Sequence, residues 1–233
     1  MKERDIRVEA FFDCVEDILA HSRNRRFPPE EVARRVRFRY PSPMPFLQSN
    51  EYLLRQTGMS NADAFYFWML PGVARTMLQE SFGDKPRLNT LSRMVEYLRP
   101  LFIGIRVEYF YSLFLDSHGA LIRAVMMGRG SADTAIFDLE ELLSRLVDCD
   151  AKALVLCHNH PGGTLMPSDE DLQCTLRTMA ATAAINVPLL DHIIMTEKRP
   201  VSIRESGYIP AALWTRQDPR KKLVREWLDT DLI

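Results

Sequence analysis

The spacing of apolar residues changes character along this chain. Over roughly the first eighty residues, apolar positions recur mostly at steps of three and four, as with Ile6, Ala10 and Cys14. Such spacing is typical of amphipathic helices, which bury one face and expose the other. It predicts three helical stretches: residues 1–20, a helix that begins after Pro28 and Pro29, and a block over residues 48–82.

From Leu88 onward, helical spacing alternates with short runs of continuously apolar residues. The run from Tyr109 to Leu115 is dense in aromatic and aliphatic side chains and predicts a central strand. The predicted strands are 109–115, 121–127, 153–156, 187–195 and 201–203, and the predicted helices are 88–98, 139–147 and 168–184. Helices interleaved with buried strands predict a three-layer α/β/α domain.

Turn-forming residues suggest how the chain is divided. Gly83 to Pro86 predicts a boundary between a helical domain, residues 1–87, and the α/β domain, residues 88–210. A charged tail follows at residues 211–233, with one helix expected around Lys221 to Leu228, and it is a candidate for packing on the domain or for self-association. Within the helical domain, a glycine after a proline in Leu70–Ala74 predicts a connection between two helices.

Composition indicates which partners and which cellular location to expect. A net charge of -1 over 233 residues and 26% charged residues do not demand a polyanionic partner. Four cysteines at irregular spacing, without a signal-like N-terminus, predict a reducing cytoplasmic location and no disulfide framework. No apolar stretch approaches the ~20 residues that span a bilayer, so we expect no membrane association.

One stretch is strongly basic. Residues 22–40 carry seven arginines against two glutamates, a net charge of +5. The stretch could contact the phosphates of a nucleic acid. An arginine-rich, solvated helix face is the interpretation that we favour for it.

The most informative stretch runs from Cys157 to Cys174 and reads C-H-N-H-P-G-G-T-L-M-P-S-D-E-D-L-Q-C. Residues two apart on a strand point to the same side, so His158 and His160 can present two imidazoles to one ion. A Pro/Gly-rich turn follows, and Ser168 opens a helix that places Asp171 in its first turn. Two imidazoles and one carboxylate leave a fourth position open for water, which is typical of catalytic rather than structural zinc.

Other interpretations of these residues remain open. Ser168 and Asp171 also match an ordinary capping box, in which each side chain bonds the backbone of the other residue. Cys157 and Cys174 flank the site; we expect both to be mainly buried apolar residues, with Cys174 retained as a minor alternative ligand. His192 is expected to pair with Asp191 or to support the ligands from behind.

The motif H-x-H-x7-S-x-x-D, formed here by His158, His160, Ser168 and Asp171, resembles the JAMM motif of JAB/MPN-domain metalloproteases. Flanking segments at 108–122 and 189–196 are similar to the bacterial RadC-like branch of that family. The resemblance implies a JAB/MPN (cytidine-deaminase-like) three-layer α/β/α domain with a mixed sheet, preceded by a small helical domain.

The same resemblance implies a site and a reaction. It implies Zn²⁺ on His158, His160 and Asp171, a catalytic contact of Glu108 with the metal-bound water, and cleavage of a peptide or isopeptide bond in a protein or peptide substrate. Ser168 is expected to donate to the oxyanion.

The alternative function is a DNA-repair-associated module that binds nucleic acid or protein and keeps only a structural or vestigial metal site. RadC-like proteins usually carry an N-terminal helix-hairpin-helix-like region with a G-x-G turn, of which this chain has only a degenerate counterpart near Gly72.

Overall fold

The structure, a computed structural model, describes residues 6–22, 27–130 and 138–216. The chain divides into two compact units, Met1–Leu78 and Gln79–Ile233. The predicted tail helix around Lys221 to Leu228, and Arg23, Arg25 and Arg26 of the basic stretch, lie outside the described residues. Within the described ranges, no helix has both the length and the apolar character needed to cross a membrane.

The described part of the first unit is helical, as predicted. Its helices are α1 (Ile6–Ala20), α2 (Pro29–Arg39), α3 (Pro43–Leu47), α4 (Glu51–Arg55) and α5 (Asn61–Glu80), which ends just beyond the unit. Phe46 lies at the centre of the core with 1% of its surface exposed. Four aromatic rings surround it with centroids 5.3–6.5 Å away, those of Phe11, Phe12, Tyr40 and Phe67. Edge-to-face packing of these rings ties α1, α3 and α5 into one core.

The helix–helix connection predicted at Leu70–Ala74 is wrong. Helix α5 continues through Pro71 and Gly72 without a break. A proline removes one backbone hydrogen bond and crowds the carbonyl four residues earlier, so it usually ends a helix. Here Ala64, Phe67 and Pro71 are buried along one side of α5, and this packing outweighs the local preference.

The described arginines of the basic stretch lie on α2. Arg35 pairs with Glu31 at 2.5 Å, and its guanidinium lies 4.1 Å from the centroid of Phe27. Arg37 pairs with two carboxylates of α1, Glu9 at 2.9 Å and Asp13 at 2.5 Å. These two side chains therefore already have partners within the unit.

Among the described residues of the second unit, five strands form one mixed sheet. In spatial order they are β2 (Leu121–Gly130), β1 (Glu108–Leu115), β3 (Ala153–Asn159), β4 (Leu189–Met195) and β5 (Val201–Ser202). Strands β3 and β4 are parallel, and the other neighbouring pairs are antiparallel. The prediction of an α/β domain with a mixed sheet is confirmed.

Helices cover both faces of this sheet. Alternate residues of β3 enter different cores: Leu154 and Leu156 one, Val155 and Cys157 the other. The first core contains residues of α7 (Leu139–Asp148) and α8 (Asp169–Ala184), and the second contains residues of α6 (Leu91–Leu98). A short 3₁₀ helix (Arg99–Phe102) follows α6, and α9 (Ala211–Arg216) follows β5. The three predicted layers are present.

Strand β3 is the central strand of the sheet and carries two of the candidate ligands, His158 directly and His160 just beyond its end. It lies between β1 and β4, and all seven of its residues are buried. The strand runs to Asn159, three residues beyond its predicted end, so His158 lies within it, opposite Phe110 of β1. Backbone pairing with both neighbouring strands fixes the face of the sheet from which the His158 side chain projects.

Candidate metal centre

Three side chains converge where β3 ends and α8 begins. The Nε2 atoms of His158 and His160 lie 2.9 Å apart. Asp171 places Oδ1 at 3.1 Å from the first and Oδ2 at 3.4 Å from the second. All three side chains are buried and could hold a metal ion together. One donor atom from each of the three residues lies within 4.8 Å of the other two, and tetrahedral zinc with bonds of ~2.0–2.1 Å separates neighbouring donors by about 3.3 Å, so small shifts would let the group hold one such ion.

Backbone hydrogen bonds shape the loop that connects His160 to α8. His160 donates its N–H to the carbonyl of Met195 at 2.9 Å, which keeps the chain beside β4 after β3 ends. Gly163 has a φ of 73° and donates to the carbonyl of His160 at 2.9 Å. The left-handed conformation is one that glycine adopts without strain. The chain therefore reverses here and returns to α8.

Asp171 is both a helix cap and a member of the metal group. Its Oδ2 accepts from the backbone N–H of Ser168 at 2.8 Å, and its own N–H donates to Ser168 Oγ at 3.1 Å. The capping box thus holds the carboxylate while Oδ1 faces His158. The two interpretations raised by the sequence are compatible.

The same contacts keep Asp171 ionised. Burial acts to raise the pKa of the carboxyl, but hydrogen bonds with His158 and His160 and the N–H of Ser168 hold that pKa well below its usual range. A carboxylate must be deprotonated to bind a metal. The pocket therefore keeps Asp171 in the form that a metal ion requires.

His160 is held with its Nε2 atom directed at the group. Its Nδ1 lies 3.0 Å from the carbonyl of Thr164, which can only accept, so Nδ1 carries a proton. Burial lowers the pKa of His160, but the Asp171 carboxylate, the Thr164 carbonyl and the charge of Glu108 together raise it above 6.5. When a metal ion takes the place of the direct contacts of Nε2 with Asp171 and His158, the neutral ring offers it the lone pair of Nε2.

His158 is supported by a second histidine. Its Nδ1 lies 2.9 Å from Nε2 of His192, and the Nδ1 of His192 lies 2.7 Å from Thr175 Oγ1. Phe110 stacks on the His158 ring with the two planes within 4°. The Asp191 carboxylate accepts from the backbone N–H of His192 at 2.7 Å. The His192 imidazole instead contacts His158 and Thr175, so it supports the candidate ligand His158 and does not pair with Asp191.

Glu108 is the first residue of β1 and is half-buried. Asn159, between the two histidines, holds the backbone on both sides of it. The Asn159 side chain accepts from the N–H of Tyr109 at 2.8 Å and donates to the carbonyl of Val107 at 3.1 Å. Asn159 was not among the residues predicted for the site. Its position at a strand end, between two ligands, was the one available signal.

Neither flanking cysteine joins the converging group. Cys157 belongs to the core on the α6 side of the sheet, opposite His158, and burial raises its pKa well above the usual value. Cys174 packs against the core on the α7 and α8 side, and burial raises its pKa to about 12. Both behave as small buried apolar residues, because such thiols resist the deprotonation that metal binding requires.

Comparison with known proteins matches the second unit. The family model described as "RadC-like JAB domain" covers residues 88–208. A UPF0758 protein of Neisseria gonorrhoeae is 31% identical over 153 residues, 66% of this chain and 68% of the relative. One from Shewanella amazonensis is 36% identical over 137 residues, 59% and 61% of the two chains. One from Pseudomonas fluorescens is 28% identical over 180 residues, 77% and 80%. The family model covers more than half of the chain, including the sheet and the candidate metal group. This match shows that the protein belongs to the RadC-like JAB-domain family.

Proposed function

We propose that this protein is a zinc-dependent hydrolase of the JAMM type that cleaves a peptide or isopeptide bond. The observation that carries the proposal is the convergence of His158, His160 and Asp171, with donor atoms 2.9–3.4 Å apart, beside Glu108. Three protein donors are one fewer than tetrahedral zinc accepts, which is the arrangement of catalytic sites. Two imidazoles and a carboxylate are also ligand types that zinc prefers.

A zinc ion held there would supply a Lewis acid and would lower the pKa of a water molecule from ~15.7 towards ~7. Glu108 is proposed as the general base that takes a proton from the attacking water and later delivers it to the leaving amine. Its position supports this role, because its charge acts on His160 and the amide of Asn159 holds the backbone at both neighbouring residues. A base must be fixed within hydrogen-bond reach of the water that it deprotonates.

Ser168 is proposed to stabilise the oxyanion. Its hydroxyl oxygen already accepts from the N–H of Asp171, which leaves the hydroxyl proton free to donate. A substrate carbonyl that becomes tetrahedral next to the ligands would present a negative oxygen to that proton. One such donor contributes roughly 3 kcal/mol in hydrolases that use it.

Ser168→Ala is expected to lower kcat about 10²–10³-fold. The variant also loses the cap of α8, which costs about 1 kcal/mol of unfolding free energy. Thr90→Ala is the matched control, because Thr90 accepts from the N–H of Arg93 and caps α6, outside the metal group. Steady-state kinetics and urea unfolding should show similar losses of stability in both variants and a loss of rate in Ser168→Ala alone. Equal rates in the two variants would leave Ser168 with only its capping role.

A cleavage screen tests the function. Zinc-loaded protein, protein stripped with a chelator and stripped protein given zinc again are incubated with a peptide library and with isopeptide-linked substrates, and new termini are identified by mass spectrometry. We expect cleavage in the first and third samples. Cleavage that persists in the stripped protein contradicts the proposal.

The nucleic-acid alternative is distinguished by a different assay. It depends on the basic stretch, in which Arg35 and Arg37 already pair with carboxylates. A salt-dependent mobility shift with duplex DNA that is lost when Arg23, Arg25 and Arg26 are neutralised would favour it.

A further inference from the structure

A chain of short contacts leads from one metal ligand to another through the interior of the domain. It starts at Nδ1 of His158, which lies 2.9 Å from Nε2 of His192. It continues from Nδ1 of His192 to Thr175 Oγ1 at 2.7 Å, and from there to the backbone carbonyl of Asp171 at 2.6 Å. His192 and Thr175 are fully buried, with 0% of their surfaces exposed.

The chemistry of each atom fixes the direction of every proton in this chain. A carbonyl oxygen can only accept, so the 2.6 Å contact with Asp171 uses the single hydroxyl proton of Thr175. Thr175 Oγ1 can then only accept from His192, which places a proton on Nδ1 of that ring. His192 contacts a hydroxyl and an imidazole, so burial favours its neutral form, in which Nε2 carries a lone pair.

The direction continues to the metal ligand. Nε2 of His192 accepts, so Nδ1 of His158 must be the donor between the two rings. In the metal-bound form, the His158 ring then has its lone pair on Nε2, where the ion would take the place of the direct contact with Asp171 Oδ1 at 3.1 Å. The ligating atom is thereby selected by a hydroxyl that lies two side chains away.

We propose that Thr175 and His192 are positioning residues that set the tautomer of His158 and so make its Nε2 available to the metal. The proposal rests on the metal-binding part of the proposed function and is independent of which bond is cleaved. His160 obtains the same tautomer from the carbonyl of Thr164. For His158 the acceptor is itself a titratable ring, so a further residue is needed to orient it.

Thr175→Val tests the inference because valine keeps the shape of threonine and cannot accept. In this variant the Nδ1–H of His192 loses the hydroxyl oxygen that accepted from it. The tautomer of His192 that carries its proton on Nε2 then becomes favoured. That tautomer directs a proton at Nδ1 of His158 and moves the His158 proton to Nε2, where it competes with the metal. Loss of such support typically weakens metal affinity about 10–100-fold.

The readouts are zinc affinity, measured by competition with a chelator, and histidine tautomers, measured by long-range ¹H–¹⁵N spectra of zinc-loaded protein labelled at its five histidines. Wild type should show His158 and His192 protonated at Nδ1. Thr175→Val should bind zinc 10–100-fold more weakly and show His192 protonated at Nε2. Thr175→Ser keeps the hydroxyl and should restore both wild-type results.

Thr182→Val is the matched control. Thr182 lies on the same helix, is fully buried and donates to the carbonyl of Thr178 at 2.9 Å, the same local bond that Thr175 makes to Asp171. It has no part in the chain of contacts described above. We expect wild-type zinc affinity and wild-type tautomers from this variant.

Two results would overturn the inference: a wild-type spectrum with His192 protonated at Nε2, or wild-type zinc affinity in folded Thr175→Val. The first needs no variant, so a misfolded Thr175→Val does not remove the test. If the tautomers and affinities agree with the proposal but wild type cleaves no peptide, the hydrolase function fails and this inference stands. If wild type cleaves peptides in a Glu108-dependent way but Thr175→Val binds zinc as tightly as wild type, the hydrolase function stands and this inference fails.

Discussion

Replacing Glu108 with glutamine is expected to leave zinc bound and to lower kcat about 10²–10⁴-fold. Glutamine keeps the size and the hydrogen-bonding reach of glutamate, but it does not take up a proton at neutral pH. Metal content should not change, because the metal group consists of His158, His160 and Asp171. Kinetics on a substrate from the cleavage screen and metal analysis of the same sample measure both quantities.

Glu170→Gln is the control for this variant. Glu170 precedes Asp171 in the first turn of α8 and is exposed to solvent. Removing its charge alters the field near the site without removing the proposed base. If both variants lose activity equally, the effect belongs to local charge and Glu108 is not the base.

Asp171→Asn is expected to abolish turnover and to weaken zinc binding by more than the ~10–100-fold that loss of a supporting residue causes. Asparagine retains a side-chain oxygen that can accept from the N–H of Ser168, so the capping box that holds α8 is preserved. What it loses is the negative charge that faces the two imidazoles at 3.1 and 3.4 Å. The variant therefore separates the two roles of this residue.

Zinc titration and urea unfolding measure the two roles independently. At neutral pH we expect metal-free Asp171→Asn to remain folded but to have a lower unfolding free energy than metal-free wild type, because the folded protein stabilises the ionised carboxylate that the variant lacks. Added zinc should stabilise wild type far more than the variant, because only a bound ligand shifts the folding equilibrium. Equal stabilisation of both proteins by zinc would remove Asp171 from the ligand set.

The group of candidate ligands could be predicted from the sequence because its geometry is local. His158, His160 and Asp171 lie within fourteen residues, 158–171, and strand alternation, a Pro/Gly turn and a helix start bring them together. The strands and helices of residues 88–210 were predictable for a related reason. Each buried run is continuous and is bounded by turn-forming residues.

The supporting residues could not be placed in this way because their contacts are set by strand register. His192 reaches His158 across 34 positions, and the contact depends on the parallel pairing of β3 with β4, in which Leu156 lies opposite His192. Asn159 acts on Val107 and Tyr109 across about fifty residues through the pairing of β3 with β1. Pairing registers of this kind are not contained in local spacing.

Pro71 shows the opposite case, in which a local sequence signal predicts a helix end that the structure does not have. Proline followed by glycine is a strong sign of a helix end. In α5 the neighbouring residues Ala64 and Phe67 are buried in the core, and the helix continues across the proline. Burial of Ala64, Phe67 and Pro71 along one side of the helix outweighs the local preference of the Pro-Gly pair.

The central claim is that two imidazoles and one carboxylate bind one zinc ion without a thiolate. X-ray absorption at the zinc edge, on wild-type protein carrying one equivalent of zinc, tests it most directly. We predict nitrogen and oxygen neighbours at ~2.0–2.1 Å, including two histidines, and no sulfur. A sulfur neighbour at ~2.3 Å, which would require Cys157 or Cys174 as a ligand, or a failure to bind zinc at all, would contradict it.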